Sequence, residues 1–66
     1  MKNLIKTEII ENYMQKNNIS KARFCKLCNI SVSTLNKILC NNTNIELIAL
    51  FRIAKVIDLQ VYQMFN

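Results

Sequence analysis

The chain contains no glycine, no proline and no histidine. Without glycine it cannot form the loop with which many enzymes cradle phosphate groups. Without histidine it lacks the commonest general base. A structural zinc site needs four cysteine or histidine ligands, and only three cysteines are present. The four acidic residues are spread along the sequence, so paired-carboxylate chemistry has no support either. These gaps exclude catalysis, and no cofactor, bound metal or small-molecule substrate is expected. Losing both glycine and proline also removes the usual punctuation between elements. Asparagine must then serve wherever the backbone turns left-handed.

Long apolar stretches are missing too. The longest uninterrupted run is a few residues, far short of the roughly 20 that span a bilayer, so no membrane association is expected. The segment MKNLIKTEII carries Glu8 and lacks an apolar core followed by a cleavage site, which predicts no signal peptide and a cytoplasmic protein. The odd cysteine count argues against a secreted disulfide framework. Asparagine, isoleucine and lysine are abundant, a skew that an AT-rich coding sequence produces, so part of the composition says nothing about function.

Sixty-six residues, 52% of them hydrophobic, suffice for one domain over 1–66. A chain this short buries only about 60% of its unfolded surface. Regular helix packing or self-association commonly compensates at this size. The net charge of +5 is unevenly placed. Residues 19–44 hold Lys21, Arg23, Lys26 and Lys37 with no acid, whereas the flanking segments are close to balanced. A basic stretch of this kind suits a polyanion partner, although charge alone fits a solvated surface equally well.

Asparagine or aspartate recurs between apolar segments: Asn17-Asn18, Asn29, Asn41-Asn42 and Asp58. Each suits a helix C-terminus in left-handed conformation. Candidate starts follow. Ser20 and Ser31 are favourable N-caps, Thr43 with Glu46 matches a capping box, and Gln60 is a weaker start. The reading is all-α, with five helices near 3–17, 21–28, 32–40, 45–57 and 61–65. Leu47, Leu50, Phe51, Ala54 and Ile57 follow helical periodicity and are expected to face inward. Ile10, Tyr13, Phe24, Leu27, Cys28, Leu35, Ile38 and Leu39 supply matching inward positions.

Only Asn29-Ile30-Ser31 separates the two middle helices, and so short a link forces them to cross steeply, as in a helix-turn-helix. Asn29 is expected to turn left-handed, Ile30 to point inward, and Cys25 to be the small residue where the helices meet. The stretch FCKLC contains a CxxC, but Cys25 lies well past the cap of its helix, where no thiol is activated. Cys25 and Cys28 read as small buried hydrophobes, and Cys40 as exposed.

Residues 20–59, SKARFCKLCNISVSTLNKILCNNTNIELIALFRIAKVIDL, resemble the phage-repressor and Cro-type helix-turn-helix family. The family's serine, Leu-Ala pair, Gly-Val-Ser turn and Ser-Thr-Ile stretch correspond to Ser20, Phe24-Cys25, Asn29-Ile30-Ser31 and Ser33-Thr34-Leu35. Its Leu-x-x-Ile-Ala-Lys run corresponds to Leu50-Phe51-Arg52-Ile53-Ala54-Lys55, and its closing segment to Val61–Phe65. Asn29 and Asn41 stand where the family commonly has glycine. Met14 and Leu39 stand where it often pairs arginine with glutamate, an exchange that costs little when the apolar pair packs; Met14 is expected to meet Leu39.

The resemblance implies a lambda-repressor-like domain that binds double-stranded DNA. Helix 32–40 would lie in the major groove with Val32, Ser33, Asn36 and Lys37 at base edges. Ser20, Lys21, Arg23 and Ser31, together with Asn41, Asn42, Thr43 and Asn44, would hold phosphates. It also implies a homodimer formed through the last helix, with Val61, Tyr62, Met64 and Phe65 as its surface; Tyr62, Met64 and Phe65 cannot all face so small a core. The function expected is a sequence-specific transcriptional regulator that represses by blocking a promoter. The alternative is an antitoxin-like module that docks on a partner protein through its apolar C-terminal surface.

Overall fold

Among the described residues, four with positive φ divide the chain: Asn18, Asn29, Asn41 and Asp58. The computed structural model, which describes residues 4–41 and 45–65, places a helix before each of them. These are α1 (Thr7–Lys16), α2 (Lys21–Cys28), α3 (Val32–Leu39) and α4 (Leu47–Ile57), and a 3₁₀ turn at Val61–Met64 closes the fold. The all-α domain expected from the sequence is what forms, with its fifth element tighter and shorter than an α-helix.

The left-handed residues end helices through a shared geometry. After α2, the Asn29 N–H donates to Lys26 O and the Ile30 N–H reaches back to Cys25 O at 3.0 Å. After α1, Asn18 donates to Gln15 O and Ile19 to Met14 O. Both are Schellman motifs, in which the residue after the left-handed one is apolar and covers the helix end. Asp58 repeats the long bond, with Leu59 donating to Ala54 O at 2.9 Å. Ile19, Ile30 and Leu59 are all partly buried. Three helix ends are therefore written locally as an asparagine or aspartate followed by isoleucine or leucine.

The fourth left-handed residue works differently. The Asn41 carboxamide turns back to the start of the chain, where Oδ1 accepts from the Ile5 N–H at 2.7 Å and Nδ2 donates to Ile5 O at 3.4 Å. The side chain thereby acts as a short strand pairing with Ile5. On its other side, Ile5 forms an antiparallel bridge with Phe65, supported by the Lys6 N–H donating to Met64 O at 2.7 Å. This explains why α1 begins at Thr7 rather than near residue 3: Ile5 is drawn into extended pairing between the end of α3 and the C-terminal turn. Asn41 thus commits its carboxamide oxygen and one of its two amide protons to the fold.

The core comprises Ile5, Ile10, Phe24, Cys25, Cys28, Leu35, Ile38, Ala49, Leu50, Ile53, Ala54 and Met64, with no buried polar side chain among the described residues. Each fully buried Phe, Leu, Ile or Met contributes about 1.5–3 kcal/mol. The Tyr13 ring packs tilted on Phe24, with centroids 5.7 Å apart. Met14 and Leu39 both pack half-buried against this core.

Three expectations about burial fail. Leu27 is exposed at the end of α2, and Leu47 and Phe51 are exposed on α4. The inward face of α4 runs instead through Ala49, Leu50, Ile53 and Ala54, a rotation permitted because apolar residues nearly encircle this helix. Helix α4 starts at Leu47 with Glu46 as an N-cap that makes no side-chain bond; Thr43, the expected partner of Glu46, lies outside the described residues. A reciprocal capping box forms instead between Gln60 and Gln63. Met64 is fully buried, which removes it from any surface offered to a partner.

The two kinds of asparagine separate under substitution. Asn18→Gly keeps the left-handed turn and should change stability by less than about 0.5 kcal/mol. Asn41→Gly keeps the turn but strips the Ile5 N–H and carbonyl of their side-chain partner, and should cost about 1–3 kcal/mol, read as a lower urea midpoint at unchanged slope.

Candidate nucleic-acid interface

Helices α2 and α3 start with serine caps, each satisfying one of the amides that a helix N-terminus leaves open. Ser20 Oγ accepts from the Arg23 N–H at 3.2 Å, and Ser31 Oγ from the Thr34 N–H at 3.0 Å. Ser31 Oγ also pairs with Thr34 Oγ1 at 2.8 Å, so the start of α3 is braced twice. Neither helix carries an acid in its first turn. Their positive ends, with Lys21 and Arg23 alongside, favour an anion.

Between the helices, Asn29 sits at φ 58° and ψ 47°, and Ile30 tucks against the core. The Asn29 carbonyl is held by Arg52 Nη1, which reaches across from α4 at 2.9 Å. Arg52 was invisible as a functional residue in the sequence, where it reads as one more surface cation in an apolar helix. Its contact fastens the turn of the helix pair to the element packed beneath.

The inner face of α3 is Leu35 and Ile38, both fully buried. Helical geometry then forces Val32, Ser33, Asn36 and Lys37 outward, and all four are exposed, Val32 by 43%. The residues proposed from sequence as base readers thus share one accessible helix face. Ser20, Lys21, Arg23 and Ser31 are also exposed, although both serine hydroxyls already serve as caps. Asn42, Thr43 and Asn44 lie outside the described residues. One link across the face went unforeseen: Lys21 Nζ donates to Asn36 Oδ1 at 3.3 Å, joining the first residue of α2 to the middle of α3.

The cysteines take no part in this surface. Cys25 and Cys28 are free and buried, and Cys40 is free and exposed. Burial, reinforced by the neighbouring Cys25, pushes the Cys28 thiol up to about 11. Burial also raises Cys25, partly offset by the Lys21 charge. Among the described residues, no cluster of three or more cysteine and acidic side chains is placed to hold a metal. None of their helices is long and apolar enough to cross a membrane.

Residues 10–66 match the family described as a Cro/C1-type HTH DNA-binding domain. No curated protein and no solved structure matches the chain at a significant level. The family match covers all four helices from the second turn of α1 onward, including every described side chain of the α2–α3 surface.

The burial pattern makes a chemical prediction. At pH 8, iodoacetamide should label Cys40 in the folded protein and spare Cys25 and Cys28, while urea exposes all three to labelling, as intact mass spectrometry would count.

Proposed function

The chain belongs to the Cro/C1-type helix-turn-helix family of DNA-binding domains, and from that premise we propose that it is a sequence-specific transcriptional repressor. It places α3 in the major groove and blocks a promoter. The observation that carries the reading is the coincidence of two features on one surface. The outward residues of α3 and the positive ends of α2 and α3 lie within the only long segment of the sequence that has cations and no acids.

Each side chain has a role that its chemistry fits. Val32 meets a thymine methyl, Asn36 pairs with adenine, and Lys37 reads guanine or neutralises a phosphate, with Ser33 beside them. Lys21 and Arg23 hold the backbone through charge, and Ser20 and Ser31 through their hydroxyl protons and the neighbouring helix amides. Asn42, Thr43 and Asn44 remain assigned to the phosphate backbone. The protein acts in the cytoplasm, where its DNA lies.

Repression at a palindromic site calls for a homodimer with half-sites one helical turn, about 34–36 Å, apart. We assign its interface to Val61, Tyr62 and Phe65. Tyr62 is 75% exposed and Val61 and Phe65 are partly so, and an amphipathic ring of that exposure is a common interface anchor.

A second reading, docking on a partner protein, draws support from α4. Leu47, Ile48 and Phe51 are each more than half exposed and adjoin one another at helical spacing, forming an apolar patch of the sort that marks an interaction surface.

Selection from a random DNA pool decides between these readings. The repressor reading expects one enriched site, and Asn36→Ala or Lys37→Ala should weaken binding to it by about 1–3 kcal/mol. Log affinity should fall with log salt by about 0.9 per phosphate neutralised. A pool that enriches nothing, with activity lost in Phe51→Ala or Tyr62→Ala but kept in Asn36→Ala, would give the docking reading precedence.

A further inference from the structure

Building on the DNA-reading surface proposed above, we infer that Lys21 is a positioning residue: it fixes the amide orientation of Asn36 and thereby sets the base preference at one position of the site. The two side chains stand 15 residues apart in sequence, and Lys21 Nζ donates to Asn36 Oδ1 at 3.3 Å. No other side-chain bond among the described residues joins α2 to the outward face of α3.

A carboxamide is nearly symmetrical in shape but opposite in hydrogen-bonding sense at its two ends. Free in solvent, an exposed asparagine turns either end outward and offers a base both patterns. An ammonium group carries three donors and no acceptor, so Lys21 tolerates only the orientation with Oδ1 toward it. Nδ2 is then fixed on the opposite side. The second lone pair of Oδ1 stays available to a base, and the ammonium polarises the amide and strengthens Nδ2 as a donor. Adenine needs this arrangement, since its N6 amino group donates and its N7 accepts. The flipped amide would set donor against donor and acceptor against acceptor.

The placement of Lys21 supports the same role. It is the first residue of α2, where the helix dipole disfavours a cation, and no acid in the first turn offsets it. Residues of α3 facing this ammonium supply a dipole, the Asn36 oxygen, and no carboxylate. A lysine in that position is therefore held by what it binds across the helix pair, not by its own helix.

The test compares base preference in wild type, Lys21→Met, Lys21→Arg, Asn36→Ala and the Lys21→Met/Asn36→Ala double variant, with melting curves confirming that each folds. Asn36→Ala should lose about 5- to 150-fold discrimination at one base pair, the size of one bidentate contact. Lys21→Met should relax that same position while leaving others intact, the double variant should relax it no further, and Lys21→Arg should restore it. The charge that Lys21 lends to the phosphate backbone predicts a uniform loss and a flatter salt dependence in Lys21→Met in either case. If those appear while the preference at the Asn36 position is unchanged, lysine acts on phosphate alone and the inference is overturned. If wild type selects no sequence, the DNA-reading surface and this inference fall together. A DNA-free measurement separates the two claims. The Asn36 side-chain amide should be ordered in wild type and lose NMR order in Lys21→Met, and an unchanged order parameter would overturn the inference whatever the DNA data say.

Discussion

The left-handed backbone at Asn29 is the constraint on which the rest of the molecule depends. It stops α2, reverses the chain within three residues and launches α3 from the Ser31 cap. Every outward side chain of α3 takes its direction from that turn. Two bonds hold it from within the helix pair, and the Arg52 guanidinium clasps its carbonyl from α4. A non-glycine residue in this conformation pays a steric cost that asparagine bears more easily than most. Its persistence here rests on the Schellman bonds, the covering Ile30 and the Arg52 contact acting together. The turn between α2 and α3 is thus fastened on both sides.

A second point of closure lies at Ile5. Its backbone pairs with Phe65 on one side and with the Asn41 carboxamide on the other, and its side chain belongs to the core. One residue thus ties the start of the chain, the end of α3 and the C-terminal turn. In a domain with few buried side chains, such ties matter more than in a large one, since the apolar surface available for burial is limited. Met64 enters the core beside this junction, leaving Tyr62 as the prominent exposed ring of the C-terminal turn.

The CxxC shows how a chemical motif dissolves into packing. Cys25 accepts the Ile30 bond at its carbonyl and fits between α2 and its neighbours with almost no exposure. Cys28 ends α2 beside the turn. Burial raises both thiols above their ordinary range, which suppresses the thiolate needed for metal binding or exchange. Size, not reactivity, is what the position uses.

The helix ends could be read from the sequence because their causes are local. A left-handed asparagine or aspartate followed by an apolar residue marks where a helix stops, and a serine three residues before a needed amide marks where one starts. The outward face of α3 followed from the same logic, since Leu35 and Ile38 leave Val32, Ser33, Asn36 and Lys37 nowhere else to point. What the sequence could not convey was any choice requiring two distant segments. In LIALFRIAKVI, two overlapping apolar stripes satisfy helical periodicity, and only docking against α2 and the C-terminal turn selects Ala49, Leu50, Ile53 and Ala54 over Leu47 and Phe51. Asn41 looked like its fellow turn residues until Ile5 came within reach of its side chain. Lys21 and Arg52 looked like ordinary surface cations until the fold set an amide and a carbonyl before them. Backbone conformation at a turn is decided within a few residues. The phase of a helix, and the partner of a long polar side chain, are decided by whatever the rest of the chain brings alongside.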